Sequence, residues 1–122
     1  MTSTYEAGSG SGSESRQAAV LTVLTTTDTA QKAEDLASGA VAARVAACAQ
    51  IAGPVVSVYR WEGAIEEARE WQVLFKTAAA RYEALEAWLT EAHDYDTPEI
   101  IATPVVRGSA AYLEWAERET AE

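Results

Sequence analysis

The sequence predicts an α+β domain of ferredoxin-like topology, with the order βαββαβ, a long hairpin between the second and third strands, and an extra C-terminal helix. The strongest observation is the stretch of residues 55–77, where apolar and polar residues alternate along two arms that flank a turn at residues 61–64. One amphipathic helical stretch precedes this hairpin and another follows it. With right-handed crossovers, this order closes a split βαβ sheet that carries both helices on one face.

The predicted hairpin is unusually long. Its arms run for about ten residues, whereas an average strand has about five to six. We therefore expect its far end to overhang the domain, and we expect the sheet face opposite the helices to stay uncovered. Because large exposed apolar surfaces usually mark oligomer interfaces, we expect the protein to assemble with copies of itself.

The elements before the hairpin begin after a Gly/Ser-rich stretch. Residues 1–16 are expected to form a disordered tail, and residues 17–122 one domain. The apolar run at 18–25 is typical of a central strand. Asp28 is the predicted N-cap of a helix that reaches about Val45, with Gln31 as its capping-box partner. The face that this helix is expected to bury comprises Ala33, Leu36, Ala37, Ala40 and Val41.

A short strand at 47–51 is expected to continue into the hairpin through a bulge at Gly53 and Pro54, since proline is tolerated at bulges. Beyond the hairpin, Thr77 is the predicted N-cap of a helix over residues 78–92. This helix is expected to bury Tyr82, Leu85, Trp88, Leu89 and Ala92.

The last third of the chain begins with an irregular polar loop, HDYDTPE. Residues 99–106 are then predicted to form a fourth strand, and Pro104 indicates that it lies at an edge of the sheet or leaves the sheet there. Gly108 and Ser109 begin a short terminal helix with Tyr112 and Leu113 on its apolar side.

Composition excludes several classes of protein. The net charge of −10 argues against a nucleic-acid surface, because phosphate binding needs clustered Lys and Arg. No apolar run approaches the length of a membrane span. The scattered acidic residues fit a solvated surface, or a weak general attraction for cations. With one cysteine and no signal peptide, we expect a cytoplasmic protein without nucleic-acid or membrane partners.

The sequence contains few groups suited to catalysis. None of the common hydrolase, metalloprotease or phosphate-binding motifs occurs, so we do not expect an enzyme. The single histidine, His93, is followed by Asp94, Asp96 and Glu99, and imidazole with carboxylates can bind Zn²⁺ or Cu²⁺. The alternative is that His93 only satisfies the carbonyl groups at a helix C-terminus.

Two further side chains also allow two interpretations. Cys48 is either a small buried apolar residue or a soft ligand for Cu⁺. Trp61, at the tip of the hairpin, lies either in a subunit interface or in a small-molecule pocket.

A series of motifs resembles one known family. AARVAACAQI, SVYRWEGAIEE, VLFKT, EAHDYDTPEIIATPV and YLEWAE, in this order and at these intervals, are similar to the CutA family, also called divalent cation tolerance proteins. The resemblance covers residues 18–117. It implies a ferredoxin-like subunit in a tight trimer whose long hairpins pack between subunits, with an overall likeness to PII signalling proteins. It also implies a link to tolerance of copper and other divalent cations.

The resemblance also implies candidate site residues in a cleft between subunits. They are Cys48, the hairpin residues Tyr59, Trp61 and Glu62, and the loop residues His93, Tyr95 and Glu99. Three departures from the family pattern stand out. Asp94 replaces a usual proline, the order Gly53-Pro54 inverts a usual Pro-Gly, and a cysteine that some bacterial members have near Leu24 is absent, which weakens a Cu⁺ site.

The sequence therefore supports three hypotheses. The first is a trimeric cation-tolerance protein that binds a divalent metal ion such as Cu²⁺ or Zn²⁺, not needed for folding, through His93 with Glu99 or Asp96. The second is a PII-like sensor of a small anionic metabolite, with Lys76 and Arg60 as anion contacts. The third is a trimeric scaffold that binds neither ligand.

Overall fold

The computed structural model describes residues 18–122, so the predicted tail at 1–16 lies outside the described residues. The order βαββαβ followed by a terminal helix is confirmed. We number the elements in chain order, and a 3₁₀ turn at Ala79–Arg81 precedes the second helix. The elements are β1 Val20–Thr27, α1 Ala30–Ala42, β2 Cys48–Trp61, β3 Ala64–Ala78, α2 Tyr82–Ala92, β4 Ile101–Pro104 and α3 Ala110–Glu119.

The four strands form one antiparallel sheet in the order β2-β3-β1-β4. Helices α1 and α2 pack on one face of this sheet, which we call the helix face. The main core lies there, between Val23, Val73 and Phe75 of the sheet and leucines of the two helices. The fold class predicted from the sequence is thus confirmed, with the two crossover helices sharing one face as expected.

The opposite sheet face, which we call the open face, is only partly uncovered. Helix α3 packs on it where β1 begins and β3 ends, and buries a small second core of Val20, Ala47 and Ala116. From the sequence, this whole face was expected to stay uncovered. The sequence of a short terminal helix does not indicate which face of the sheet the helix will cover.

The hairpin divides into two parts with different neighbours. Strand β1 pairs with residues 71–78 of β3, whereas residues 64–70 pair with β2 alone. We call residues 48–52 and 71–78 the proximal half, and residues 55–61 and 64–70 the distal half. In the distal half Val56 is 64% exposed and Ile65 is 70% exposed, so the predicted overhang is confirmed.

The hairpin closes with a two-residue turn at Glu62 and Gly63. Both residues have positive φ angles, 49° and 83°. Such a turn matches the right-handed twist of the flanking strands, which is why Gly follows an acidic residue at this point. The turn position predicted from the sequence is confirmed.

A bulge at residues 53–54 separates the two halves. Two residues of β2 lie opposite one residue of β3 here, so the pairing register shifts between Ala52 and Val55. The shift reverses the alternation of faces along β2. Before the bulge Ile51 pairs with Val73, which faces the helices, and after it Tyr59 pairs with Glu66, which has the opposite parity on β3. Odd-numbered residues of distal β2 therefore lie on the open face.

Both ends of α1 differ from the prediction. The N-cap is Thr29 rather than Asp28, because Thr29 has extended backbone angles and its hydroxyl accepts from the Lys32 amide at 3.0 Å. Gln31 donates to Asp35 instead of completing a capping box. The helix ends at Ala42 and not at Val45, since Arg44 takes a left-handed conformation with φ of 63°.

The predicted bounds around α2 and β4 also need correction. Thr77 is not a helix cap, because β3 continues through it and its buried hydroxyl donates to the Val45 carbonyl at 2.8 Å. The α-helix begins only at Tyr82, after the 3₁₀ turn. Strand β4 spans four residues and ends at Pro104 on the edge of the sheet, which confirms the edge position but not the predicted length.

Candidate functional site

A cleft of about 830 Å³ lies on the open face, between the distal half of the hairpin, the end of β1 and the loop at residues 93–99. We call it the acidic cleft. Its lining combines carboxylates, aromatic rings, hydroxyls and two aliphatic side chains. These are Asp28, Glu70, Asp96 and Glu99; Tyr59, Trp61 and Tyr95; Thr26, Ser57 and Thr97; and Val58 and Ala68.

The bulge in β2 brings the hairpin aromatics into this cleft. Because of the register shift, Tyr59 and Trp61 lie on the same face as Glu70. Thr26 pairs with Gln72, which also has open-face parity, so the end of β1 contributes the floor of the cleft. Without this register shift, the rings would continue the alternation of the proximal half and point to the helix face.

His93 anchors the loop that forms the other wall. Its side chain is fully buried, its Nε2 donates to the Thr26 carbonyl at 2.7 Å, and its Nδ1 accepts from the Tyr95 amide at 3.1 Å. The imidazole is therefore a neutral tautomer with a proton on Nε2. Since both ring nitrogens are engaged, a metal ion could reach this imidazole only by displacing one of the two bonds.

Tyr95 connects the loop to the hairpin. Its hydroxyl donates to Glu70 Oε2 at 2.8 Å, and its ring centroid lies 4.6 Å from that of His93. Burial and the hydrogen bond to the Glu70 carboxylate raise the pKa of Tyr95 above its usual value. The phenol thus stays protonated, and it holds Glu70 at the wall of the cleft.

A second link joins the loop to α1. The Lys32 ammonium bridges Asp28, at 2.8 Å, and Asp94. The hydrogen bond from Lys32 lowers the pKa of Asp94, and the hydrogen bonds to Asp28 and Asp94 raise the pKa of Lys32. Asp94 therefore ties the loop to α1 through charge. His93 and Asp94 also line a smaller cavity of about 270 Å³ beside Lys32.

The acidic cleft carries uncompensated negative charge. Of the described residues that line it, none is Lys, Arg or His. Asp28 is paired with Lys32, but within residues 18–122 neither Asp96 nor Glu99 takes part in an ion pair. Carboxylates gathered in a concave site attract cations and repel anions. In the described part of one subunit, however, no three His, Cys, Asp or Glu side chains converge as a metal site.

The structure divides the candidate residues predicted from the sequence into separate groups. Tyr59, Trp61, Tyr95, Asp96 and Glu99 meet in the acidic cleft. His93 lies beneath the loop, and Glu62 lies in the hairpin turn.

Cys48 and Lys76 lie elsewhere, near α3. The sulfur of Cys48 is 3.5 Å from the Tyr112 hydroxyl, and this contact, with burial, raises the pKa of Tyr112 to about 12. Lys76 donates to Gln50 at 2.9 Å, and its ammonium lies 6.0 Å from the Tyr112 ring centroid. Cys48 is half-buried, and its two alternative roles, a small apolar residue or a ligand for Cu⁺, both stay predictions.

Sequence reasoning missed two of the four carboxylates, Asp28 and Glu70. Asp28 was assigned to a helix cap, although its position directly after β1 places it at the end of the sheet. Glu70 is one of several acidic residues on β3, and only the register of the hairpin distinguishes it. The bulge at residues 53–54 was the available signal, because it puts Tyr59 and Trp61 on the same face as Glu70.

The fold and the cleft together define a class: a small ferredoxin-like α+β domain with an overhanging hairpin and a cation-attracting cleft beside it. Comparison with known proteins then gives the family. The family model described as "CutA1 divalent ion tolerance protein" matches residues 21–119. The Divalent-cation tolerance protein CutA of Escherichia coli is 37% identical over 102 residues, which cover 84% of this chain and 91% of the relative. The chain therefore belongs to the CutA family of divalent-cation tolerance proteins.

Solved structures agree with this assignment. CutA from Xylella fastidiosa superposes with a TM-score of 0.81 at 37% identity, and covers 83% of this chain and 97% of its own. A protein from Archaeoglobus fulgidus, described as a periplasmic divalent cation tolerance protein CutA, superposes with a TM-score of 0.80 at 30% identity, and covers 83% of this chain and 98% of its own. Within residues 18–122, no helix is long and apolar enough to cross a membrane.

Proposed function

We propose that this member of the family works as a homotrimer that binds a divalent metal ion in the acidic cleft. The observation that carries the proposal is the uncompensated charge of the cleft, where the carboxylates of Asp96 and Glu99 face a space without basic side chains. Carboxylate oxygens are ligands for most divalent cations. Since residues 18–122 of one subunit do not bring three ligands together, we expect the remaining donors to come from a neighbouring subunit or from water.

The distal half of the hairpin supports assembly. Val56, Val58 and Ile65 are each more than half exposed in the single subunit, and Ile101 of the edge strand β4 is 53% exposed. A surface of this kind is stabilised when another copy covers it. Closed symmetric assembly also places the outer edges of β2 and β4 where strands of neighbouring subunits could pair with them.

The ligand role of His93 stays a prediction, and its bonds make it distinguishable from the carboxylates. If His93 only positions the loop, replacing it changes the loop and Tyr95, not the coordinating atoms. Carboxylate and water oxygens are ligands that suit Mn²⁺. Binding of Mn²⁺ should therefore be measured beside binding of the predicted Cu²⁺ and Zn²⁺.

Isothermal titration of Mn²⁺, Zn²⁺ and Cu²⁺ into the full chain tests the metal site. We expect saturable binding of at least one ion, with affinity reduced at least about tenfold in the double variant Asp96→Asn/Glu99→Gln, since tenfold corresponds to the loss of about 1.4 kcal/mol. The matched control is Glu83→Gln, an acidic residue in the first turn of α2 outside the cleft. Equal affinity in the wild type and the double variant would contradict the carboxylate site.

The titration is repeated with His93→Gln, which keeps a polar side chain of similar reach. Unchanged affinity assigns His93 to positioning the loop, and lost affinity with a retained fold assigns it as a ligand. Multi-angle light scattering of the same proteins, with Ile65→Asp as the variant aimed at assembly, reports the oligomeric state. A wild type that elutes as a monomer would contradict the proposed trimer.

The PII-like alternative is not favoured by the charge of the cleft. An anionic metabolite needs basic contacts, yet Lys76 and Arg60 do not line the cleft and Lys76 is engaged with Gln50. If the protein binds no metal ion in the titration, a scaffold role becomes the second candidate function.

Three further proposals go beyond family membership. We propose a non-enzymatic role, a cytoplasmic location and a domain that begins near residue 17.

A further inference from the structure

We propose that the acidic cleft also binds an organic ammonium cation, held between the aromatic rings of Tyr59 and Trp61 and the carboxylates of Asp96 and Glu99. The inference goes beyond the proposed metal site, because it adds the aromatic rings to the same two carboxylates and names an organic ligand. It requires no bound metal.

The size of the cleft is the first reason. At about 830 Å³ it lies in the range of cavities that hold small organic molecules, about 300–1,000 Å³. A single metal ion and its ligating waters would fill only a small fraction of such a space. The cleft is therefore larger than the function proposed above requires.

The aromatic rings are the second reason. Trp61 is 56% exposed and Tyr59 is 43% exposed, and the register of the hairpin places both rings on the cleft side of β2. The faces of aromatic rings carry negative potential, and indole binds cations best among the aromatic side chains. Metal coordination gives no use for these rings, whereas an alkylammonium ion combines an apolar surface with a positive charge.

The polar lining is the third reason. Asp96 and Glu99 supply negative charge without an ion-pair partner in the described residues, while Ser57 and Thr97 supply hydroxyl groups. No basic side chain among the described lining residues competes with a bound cation. Together the lining selects for positive charge on an organic body, and disfavours both neutral and anionic molecules.

Two of the walls are held in place before any ligand arrives. Tyr95 donates to Glu70 across the cleft, and the buried His93 holds the loop through Thr26. These bonds tie the loop with Asp96 to β1 and β3, and β3 pairs with β2, which carries the aromatic rings. A preorganised site of this kind loses little conformational freedom when it binds.

Choline and its uncharged isostere 3,3-dimethylbutan-1-ol test the inference. Both are titrated into the full-length protein with EDTA present, and binding is followed by calorimetry and by the NMR signals of the indole N–H groups. We expect choline to bind at least about tenfold more tightly than the alcohol. The two molecules have the same shape, but only choline carries the positive charge that the aromatic faces attract. Equal binding of the two, or no binding of choline, would overturn the inference.

Substitutions at Trp61 separate the ring face from apolar bulk. Trp61→Phe keeps an aromatic face and should retain choline affinity within about threefold, whereas Trp61→Leu should weaken it about tenfold. Tyr112→Leu, far from the cleft beside Cys48, is the matched control and should bind as the wild type does. If Trp61→Leu alters the oligomeric state, Tyr59→Leu replaces it in the same comparison. Equal affinity in the Phe and Leu variants would overturn the assignment to the ring faces.

The outcomes distinguish this inference from the proposed function. Choline binding with no metal binding supports the inference and contradicts the metal site. Metal binding without choline binding overturns the inference and leaves the metal site standing. Loss of both ligands in Asp96→Asn/Glu99→Gln, with each present in the wild type, would support both.

Discussion

The proximal and distal halves of the hairpin are parts of the same two strands, yet their surroundings differ sharply. Val73 and Phe75 in the proximal half are completely buried under two helices, whereas Val58 and Ile65 in the distal half are more than 60% exposed. Both halves contain β-branched and aromatic residues that favour strands. This composition specifies strands, and the covering elements decide which apolar residues stabilise the single chain.

This difference has an energetic meaning. A two-stranded ribbon alone is at best marginally stable in water, while a strand that packs under helices contributes to a cooperative core. We infer that the proximal half folds with the subunit, and that the distal half depends on the turn, on the base of the hairpin and on whatever covers it.

The largest expected effect comes from truncating the buried proximal ring. Phe75→Ala should lower the free energy of unfolding by about 3–5 kcal/mol, because it removes a large side chain and leaves a cavity. Val58→Ala is the counterpart in the distal half, and its smaller loss should grow with protein concentration, because the proposed trimer would cover this side chain. Chemical denaturation at several protein concentrations measures both. Similar, concentration-independent losses in the two variants would break the comparison.

A smaller effect is expected where α1 and α2 cover the proximal half. A Cβ at Gly39 would lie 2.6 Å from Cζ2 of Trp88, so the indole must move. Alanine gains about 1 kcal/mol of helix propensity over glycine, but overpacking costs about 1–3 kcal/mol. We therefore expect Gly39→Ala to be net destabilising by about 1 kcal/mol.

Thermal denaturation of Gly39→Ala in a Trp88→Leu background provides the control. With the indole removed, the same alanine should become neutral or stabilising, because only its helix propensity remains. A gain in stability in the wild-type background would show that the two helices are not closely packed at this point.

The smallest effect is expected from the exposed charge bridge that ties the loop at 93–99 to α1. Asp94→Asn should lower the melting temperature slightly at neutral pH. Because Lys32 lowers the pKa of Asp94 in the folded protein, this stabilisation is present above the usual carboxyl pKa and is lost as the pH falls through the lowered value.

Melting curves of the two proteins should therefore converge in acid and at high salt. A difference that persists in acid would mean that Asp94 acts through something other than its charge. The comparison also reports whether the loop beside the distal half is held mainly by charge or by the buried His93.

Much of the fold was predictable because it depends on local patterns. The alternation in β2 and β3, the Glu62-Gly63 turn and the bulge at residues 53–54 each have a local physical cause in the sequence. The N-cap of α1 was mistaken because Asp28 and Thr29 are both good caps, and only the backbone conformation selects between them. Thr77 was misassigned because a hydroxyl at the end of a strand and one at a helix start are indistinguishable in sequence.

The cleft was only partly predictable, since it depends on contacts between distant segments. Tyr59, Trp61 and Tyr95 were expected to lie in a cleft between subunits, and the single subunit already brings them together. Glu70 was missed because its neighbours Glu66 and Glu67 are equally acidic. The bonds of His93 were likewise out of reach, since pairing with Thr26 spans 67 positions of the chain.

The bulge at residues 53–54 makes the hairpin tolerant of a change in chain length. Residues 52–61 of β2 lie opposite residues 64–72 of β3, so β2 has one residue more than its partner, and the bulge accommodates it. Deleting Gly53 or Pro54 would leave an uninterrupted ladder in which Tyr59 still pairs with Glu66 and Trp61 with Ala64, and both rings would stay on the open face. Relatives that lack one residue at this point can therefore keep the same cleft, whereas a one-residue deletion beyond the bulge would turn the aromatic rings away from it.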